Sequence, residues 1–310
     1  MADERIHVLR AHRNLLVAAA AAAALLIAMG GVICSTNASG GCPDWPRCHG
    51  RLVPPLQMNS ILEYTHRAIA LLTACLVGAA AVAGWLRKES GLALRILPLI
   101  AIVFIVAAGV FGAFAVLTGL TPLLASIDLG SALIALSLII ATAVIASVRH
   151  SRPVNEPRAT RRSVLPTISL ATLVSFFAVI VSGIFVARGS VMRCVGGPLH
   201  LGTWSSVADA SWQYTPRQVL ATVAALLAAA LVASAVRSGV ADSATRRWAV
   251  LFGAFFVAES ALNAAMVSAG ATAPLLIGSV AAAVASWSAL VVVVMRAHML
   301  ARSRPEATVR

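Results

Sequence analysis

Three ionisable residues at one helical spacing are the clearest candidates for chemistry. Glu63, His66 and Arg67 lie at positions i, i+3 and i+4, so they would share one face of a helix. One interpretation is an ion pair between Glu63 and Arg67 beside an unrelated histidine. The other is that His66 binds a haem iron with a carboxylate nearby, because helical bundles commonly hold such cofactors. The spacing leaves both interpretations open.

Two cysteines precede this motif. Cys42 and Cys48 flank the sequence Pro-Asp-Trp-Pro. Two thiols this close on a proline-rich loop can form a local disulfide. Free thiols and a metal site are the alternatives, but the spacing is wider than that of a typical zinc motif. We therefore favour a disulfide or redox pair.

Two further carboxylates lie within apolar stretches. Asp128 and Glu259 are surrounded by hydrophobic residues, and Asn263 follows Glu259 by one helical turn. Ionisable groups at membrane depth are costly, so they are usually functional or paired. For both carboxylates we expect a hydrogen bond or an ion pair to a neighbouring helix.

The remaining histidines are weaker candidates. His49 follows Cys48, and we expect it to be an exposed polar residue, as we do for His200. Four others fall in the expected tails and connections, where we expect them to be solvated: His7, His12, His150 and His298.

The composition predicts a membrane protein. Of 310 residues, 60% are hydrophobic and only 11% are charged, which excludes a soluble globular domain, a disordered chain and a small disulfide-rich domain. A membrane-spanning helix needs about 20 apolar residues. We therefore expect an all-α polytopic membrane protein with eight transmembrane helices, and tight turns near Gly119 and Gly270. The eight runs are roughly 14–34, 61–86, 96–118, 122–148, 163–187, 216–236, 247–269 and 273–297.

The distribution of basic residues predicts the orientation. The net charge is +13, and 18 of the 24 Lys and Arg residues fall in the tails and in alternate connections. The positive-inside rule then places both termini in the cytoplasm and the loops at about 35–60 and 188–215 outside, where a disulfide can persist. We expect a multi-pass protein of the cytoplasmic membrane and no nucleic-acid partner.

The chain contains an internal repeat. Tyr-Thr-His-Arg at 64–67 is similar to Tyr-Thr-Pro-Arg at 214–217, and the spacing of Cys42 and Cys48 is repeated by Cys194 and His200. We therefore expect two four-helix halves, 1–150 and 151–310. Each half has an even number of spans, so both have the same orientation.

The run from Cys42 to Pro55, followed by Glu63–Arg67, resembles the haem A synthase family, the COX15/CtaA proteins. Asp128-Leu129-Gly130 also follows the family's pattern. The resemblance implies two tandem four-helix bundles. It also implies an oxidoreductase that converts a methyl group of haem O to the formyl group of haem A, for cytochrome oxidase.

The family's site residues carry over only in part. The resemblance implies that His66 is the axial ligand of the haem iron in the first half, with Arg67 in the haem site, and that Glu63 is important for the reaction. The second ligand position holds Asp128, and the third holds Pro216. The fourth, near 278–280, has no histidine. We therefore expect a haem O/A-type haem in the first half and no ordinary haem b site in the second.

The resemblance also implies partners. These are haem, haem O synthase and cytochrome oxidase subunits. The predicted spans add membrane lipid, and the sequence leaves a homo-oligomer open. Two alternatives stay open at this point. One is a non-catalytic haem-binding or cytochrome oxidase assembly protein of the same fold, and the other is a permease-type membrane subunit.

Overall fold

The structure is a computed structural model, which describes most of the chain. The described residues are 2–36, 38–86, 91–119, 121–150, 164–186, 214–237, 241–270 and 272–302. Cys194 and His200 lie outside these ranges.

All regular elements that the structure describes are α-helices. There are eight, and each is long and apolar enough to cross a membrane. The predicted all-α polytopic fold is confirmed, and each helix coincides with one predicted run to within a few residues, except that α1 begins earlier. The helices are α1 (Ala2–Ser35), α2 (Met58–Leu86), α3 (Leu92–Thr118), α4 (Pro122–His150), α5 (Leu165–Val186), α6 (Tyr214–Arg237), α7 (Ser243–Ala269) and α8 (Ala273–Arg302).

Two tight turns occupy equivalent places in the chain. Gly119 ends α3 with φ +92°, and Gly270 ends α7 with φ +83°. Glycine adopts these positive φ values without the strain that a Cβ atom would cause. The predicted turns are confirmed, and each one returns the chain directly into an antiparallel helix.

The helix contacts form two similar rings. In the first half, α1 packs on α2 and α4, and α3 packs on α2 and α4. In the second half, α5 packs on α6 and α8, and α7 packs on α6 and α8. Between the rings, α1 contacts α8, α4 contacts α5, and α4 contacts α8. These contacts support the two-bundle organisation, which we keep as a proposal.

The rings meet through close contacts between α1, α4 and α8. A Cβ atom added at Gly31 of α1 would lie 2.5 Å from Val280 Cγ1 of α8, so a larger residue there would require a shift. Deeper in the bundle, the indole nitrogen of Trp287 in α8 donates a hydrogen bond to Ser137 Oγ of α4, at 3.0 Å. Close packing and interhelical hydrogen bonds are the interactions that hold membrane helices together.

The interior of the second half contains an aromatic cluster. Phe176 of α5, Phe252 and Phe256 of α7, and Trp287 of α8 have ring centroids 5.8–6.4 Å apart. Phe176, Phe252 and Trp287 are buried. Large aromatic side chains therefore occupy the middle of this ring of helices.

One sequence expectation about the histidines was wrong. His12 is buried, and its Nε2 lies 3.1 Å from the carbonyl oxygen of Ala80. The helix α1 begins earlier than the apolar run, so His12 packs against α2 and is not solvated. His298 is partly buried, and its Nδ1 lies 2.9 Å from the carbonyl oxygen of Val294 one turn earlier in α8.

A helix cap stabilises the start of α7, at the end of the bundle far from the loop between α1 and α2. Asp242 precedes α7 and accepts a hydrogen bond from the backbone nitrogen of Thr245 at 2.9 Å. Arg296 of α8 forms an ion pair with the same carboxylate. Burial by itself would raise the pKa of Asp242, but the hydrogen bonds of Thr245 and the charge of Arg296 lower it below its usual value of 3.8.

We predict that Asp242→Ala lowers the free energy of unfolding by about 1 kcal/mol or more, because it removes the cap and the ion pair. Asp242→Asn keeps a capping oxygen and should lose less. The lowered pKa means that the carboxylate stabilises the fold above its usual pKa and that this contribution is lost as the pH falls through the lowered value. Thermal unfolding in detergent measures both effects. A pH-independent difference between wild type and Asp242→Asn would contradict the assignment.

Candidate functional site

The Glu63 carboxylate is buried and uses both of its oxygens. Glu63 Oε1 accepts a hydrogen bond from Arg67 Nη2 at 2.6 Å, one turn along α2. Glu63 Oε2 accepts a hydrogen bond from the backbone nitrogen of Cys42 at 2.9 Å. The ion-pair interpretation of this motif is therefore present in the structure, and it extends to the loop before α2.

Arg67 fixes the loop of residues 38–57, which we call the first loop. Its Nη1 donates to the carbonyl oxygens of Asp44 at 2.7 Å and Arg47 at 2.8 Å, and its Nη2 donates to that of Cys42 at 3.2 Å. Hydrogen bonds to a charged donor are stronger than neutral ones. One guanidinium thus holds three loop carbonyls against α2. Residue types and spacing did not indicate this role of Arg67.

The first loop has its own internal bonds. Cys42 and Cys48 form a disulfide, and both side chains are fully buried. This confirms the predicted pairing. Asp44 accepts hydrogen bonds from the backbone nitrogens of Gly50 and His49, which lower the pKa of its carboxyl group. His49 is exposed, as expected, although its Nε2 lies 2.9 Å from the carbonyl oxygen of Gly41.

Cys34, at the end of α1, is also disulfide-bonded. The sequence left open whether this residue joins a disulfide, and the structure answers that question for Cys34. It lies beside the first loop in the chain, at the same end of the bundle.

A large cavity lies below the first loop. Its volume is about 1460 Å³, well above the roughly 300–1,000 Å³ of pockets for drug-sized ligands. His66, Asp128 and Glu259 all lie in its wall. Helices of both halves contribute, and Trp45 and Pro46 of the first loop lie at its rim. The cavity brings together residues that are distant in sequence, in a space that admits a large ligand.

His66 has the environment of a candidate ligand. Its Nδ1 is buried and has no hydrogen-bond partner among the described residues. Gly30 lies beside the ring, since a Cβ atom there would be 3.5 Å from His66 Cε1. An unpartnered imidazole in the wall of a large cavity is suited to binding a metal in a ligand, because a neutral imidazole is a good donor.

Asp128 lies in the same wall on α4. Gly112 of α3 is adjacent, and a Cβ atom there would be 3.8 Å from Asp128 Oδ2. No described residue forms a hydrogen bond or ion pair with this carboxyl, so the expected bond to a neighbouring helix is not present. The absence of that bond leaves Asp128 available to a ligand.

The second half contributes a different carboxyl group. Glu259 of α7 is fully buried, and neither of its oxygens has a partner among the described residues. The expected interhelical bond is again absent for the carboxyl group, although Asn263 Oδ1 accepts a hydrogen bond from Ser279 Oγ of α8 at 3.0 Å. The sequence located Glu259 as a polar residue, but it could not show that the residue faces the same cavity as His66.

The repeat motif of the second half has no histidine at the ligand position. Pro216, which corresponds to His66, is exposed at the start of α6, and Arg217 is buried. The region of the expected fourth ligand contains Ser279 and Val280, which lie in the cavity wall. In the described part of this half, no histidine stands at the positions where the resemblance implies a haem ligand.

The fold and the cavity together define a polytopic helical membrane protein with a histidine, His66, in the wall of a large cavity. The chain belongs to the COX15-CtaA family, whose model is described as a cytochrome oxidase assembly protein and matches residues 56–211.

Curated relatives agree with this assignment. A haem A synthase of Exiguobacterium sibiricum is 26% identical over 79% of this chain and 80% of its own length. A haem A synthase of another Exiguobacterium strain is 28% identical over 56% of this chain and 57% of its own length. One from Bacillus pumilus is 32% identical over 38% of this chain and 40% of its own length. The chain thus matches the first of these along most of its length and the others along about half or less.

We predict that Arg67→Met releases the first loop and destabilises the protein by about 3 kcal/mol, because it leaves the buried Glu63 carboxylate without its charge partner. Amide hydrogen exchange across residues 38–57 should become faster. Arg47→Met is the matched control, because Arg47 lies in the same loop with an exposed side chain. Equal exchange in the two variants would show that the Arg67 bonds do not hold the loop.

Proposed function

We propose that this protein is a haem A synthase-type membrane protein that binds haem O in the cavity and oxidises one of its methyl groups to a formyl group. The supporting observation is the position of His66, an unpartnered imidazole in the wall of a cavity large enough for a porphyrin. Family membership and the haem A synthases among its relatives support the same reaction. Conversion of a methyl to a formyl group removes four electrons and adds one oxygen atom, so an external electron acceptor is required.

His66 would hold the iron of the substrate from the α2 side of the cavity. Asp128 lies where the family pattern has a second ligand, and a carboxylate is a weaker iron donor than an imidazole. The site therefore differs from an ordinary bis-histidine site. His66 would be the strong donor that holds the iron, and Asp128 would be at most a weak one.

We assign Glu63 a positioning role. It borders the cavity, but both of its oxygens already accept hydrogen bonds from Arg67 and Cys42. A carboxylate that acted as a proton acceptor would first have to release one of these donors. Its effect on the reaction would be exerted through the first loop, which covers the rim of the cavity. Arg67 acts in the same way, since its donors are used on the loop and on Glu63.

The second half is proposed to bind no haem b. The aromatic cluster occupies the middle of that ring of helices, and Pro216 has no side-chain donor. Near the expected fourth ligand, Ser279 Oγ donates a hydrogen bond to Asn263 Oδ1. This half would instead complete the wall of the single cavity.

A second candidate function is non-catalytic haem binding or oxidase assembly in the same fold. It is favoured by the presence of one histidine ligand where the family pattern requires four. Conversion of haem O to haem A by the purified protein with an electron acceptor separates the two functions. A permease is not favoured, because the cavity does not continue through the described part of the bundle. It is lined by the parts of the helices nearest the first loop, and the parts of α4 and α8 far from that loop are packed in the hydrophobic core.

We place the protein in the cytoplasmic membrane with both termini in the cytoplasm, since eight spans return the chain to the same side. The first loop would then face outward, which suits its disulfide. Haem O synthase and cytochrome oxidase subunits are the proposed partners, because they would supply the substrate and accept the product.

We predict that His66→Ala removes the Soret absorption of the purified protein and the haem recovered from it by extraction. Pro216→Ala and His298→Ala should keep the haem content of the wild type. Pro216 has no side-chain donor for iron, and His298 lies at the end of α8 that is far from the cavity. Absorption spectra and chromatography of the extracted haem provide the measurement. Full haem occupancy in His66→Ala would rule out the assigned ligand.

A second prediction concerns the volume of the cavity. Gly109 lines it, and a Cβ atom at this position would meet no other atom within 4 Å. Gly109→Leu should therefore add a side chain at the cavity wall without a clash and reduce haem occupancy several-fold. Leucine also favours the helix more than glycine does.

Gly78→Leu is the control, because a Cβ atom at Gly78 also meets nothing within 4 Å and this residue is not part of the cavity wall. The control should retain haem. Equal haem content in the two leucine variants would indicate that haem binds elsewhere.

A further inference from the structure

Glu259 is the most unusual polar group of the described chain. Its side chain is fully buried, it lies in the cavity wall, and both carboxyl oxygens are without a hydrogen-bond partner. A buried polar group without a partner costs free energy, and more so when it can carry charge. In membrane proteins such groups mark the path or site of a ligand. Glu259 thus has hydrogen-bonding capacity beside the cavity that no described residue uses.

Glu259 and His66 lie at similar depth. His66 is eight residues from the start of α2 at Met58 and Glu259 is ten residues from the end of α7 at Ala269, which corresponds to about 12 and 15 Å along the helix axes. Both of these helix ends lie at the end of the bundle that carries the first loop. A broad ligand whose iron is bound at His66 can thus extend across the cavity to Glu259 without tilting far along the bundle.

The chemistry of the carboxyl group restricts what it can meet. A metal ion is not favoured, because the described residues contain no group of three His, Cys, Asp or Glu side chains that could hold one. A second carboxylate, such as a haem propionate, would add like charge in an apolar wall. A hydroxyl group fits, because it can donate a hydrogen bond to a carboxylate and can also accept one from a carboxylic acid.

We propose that Glu259 is a substrate-recognition residue that hydrogen-bonds the hydroxyl group on the farnesyl-bearing side chain of the porphyrin. This inference rests on the proposed function and extends it: the second half would recognise the substituent that distinguishes haem O from protohaem. Apolar residues of the second half, including Ile180, Ile184 and Val284, line the same cavity as Glu259 and suit the adjoining hydrocarbon.

The test is a haem titration of the full-length protein in detergent, with haem O and protohaem as separate probes. Glu259→Leu should weaken haem O binding by about tenfold, as expected for loss of a hydrogen bond to a carboxyl group, and leave protohaem binding unchanged. Glu259→Gln keeps a donor and an acceptor and should retain most of the preference for haem O. Replacement of an unpaired buried carboxyl by an apolar residue should not destabilise the fold.

Ser286→Ala is the matched control, because Ser286 is another fully buried residue whose hydroxyl has no partner, but it is not part of the cavity wall. It should bind both haems as the wild type does. An equal loss of both haems in Glu259→Leu, or no loss of either, would overturn the recognition role. If neither haem bound in a His66-dependent way, the proposed function would fail first and this inference with it.

Discussion

The guanidinium group of Arg67 is the interaction on which the candidate site depends. Backbone carbonyl groups of a loop that packs against a helix need hydrogen-bond partners, because a buried carbonyl without one costs free energy. Arg67 provides them for Asp44, Arg47 and Cys42, and its charge is balanced by Glu63 on the same face of α2. The first loop is thereby fixed over the cavity, with Trp45 at the rim. The disulfide and the bonds of Asp44 shape the loop, and Arg67 determines where it lies.

The two halves share a framework and differ in their interiors. Each has four helices in a ring of the same order, and each turns between its third and fourth helix at a glycine with positive φ. In the first half the interior near the loop is open and contains His66. In the second half Phe176, Phe252 and Trp287 occupy the middle of the ring. Packed interiors leave little space for a further large group, so Pro216 and the aromatic packing both support the proposal that this half binds no haem b.

The sequence was sufficient to predict the transmembrane helices and some residues of the candidate site. Length and apolarity mark a membrane-spanning helix, so all eight were found, and glycine marked the two turns. It also gave the pairing of Cys42 with Cys48. It could not show which face of each helix is inward, because lipid and protein interior are both apolar and amphipathic periodicity is weak. The aromatic cluster and the orientation of Glu259 were missed for this reason.

The spacing of Glu63, His66 and Arg67 left two interpretations open, an ion pair or a haem-binding histidine. In the structure these interpretations concern different residues of the motif. The ion pair is real, but the histidine beside it does not share in it. Glu63 and Arg67 are directed to the loop, whereas the His66 ring lies in the cavity wall with an unpartnered nitrogen. The same turn of α2 thus holds the first loop through Glu63 and Arg67 and borders the cavity through His66. The cavity has walls from both halves. The second half, whose repeat motif has Pro216 where the first has His66, therefore still contributes Glu259 to the wall of the same cavity.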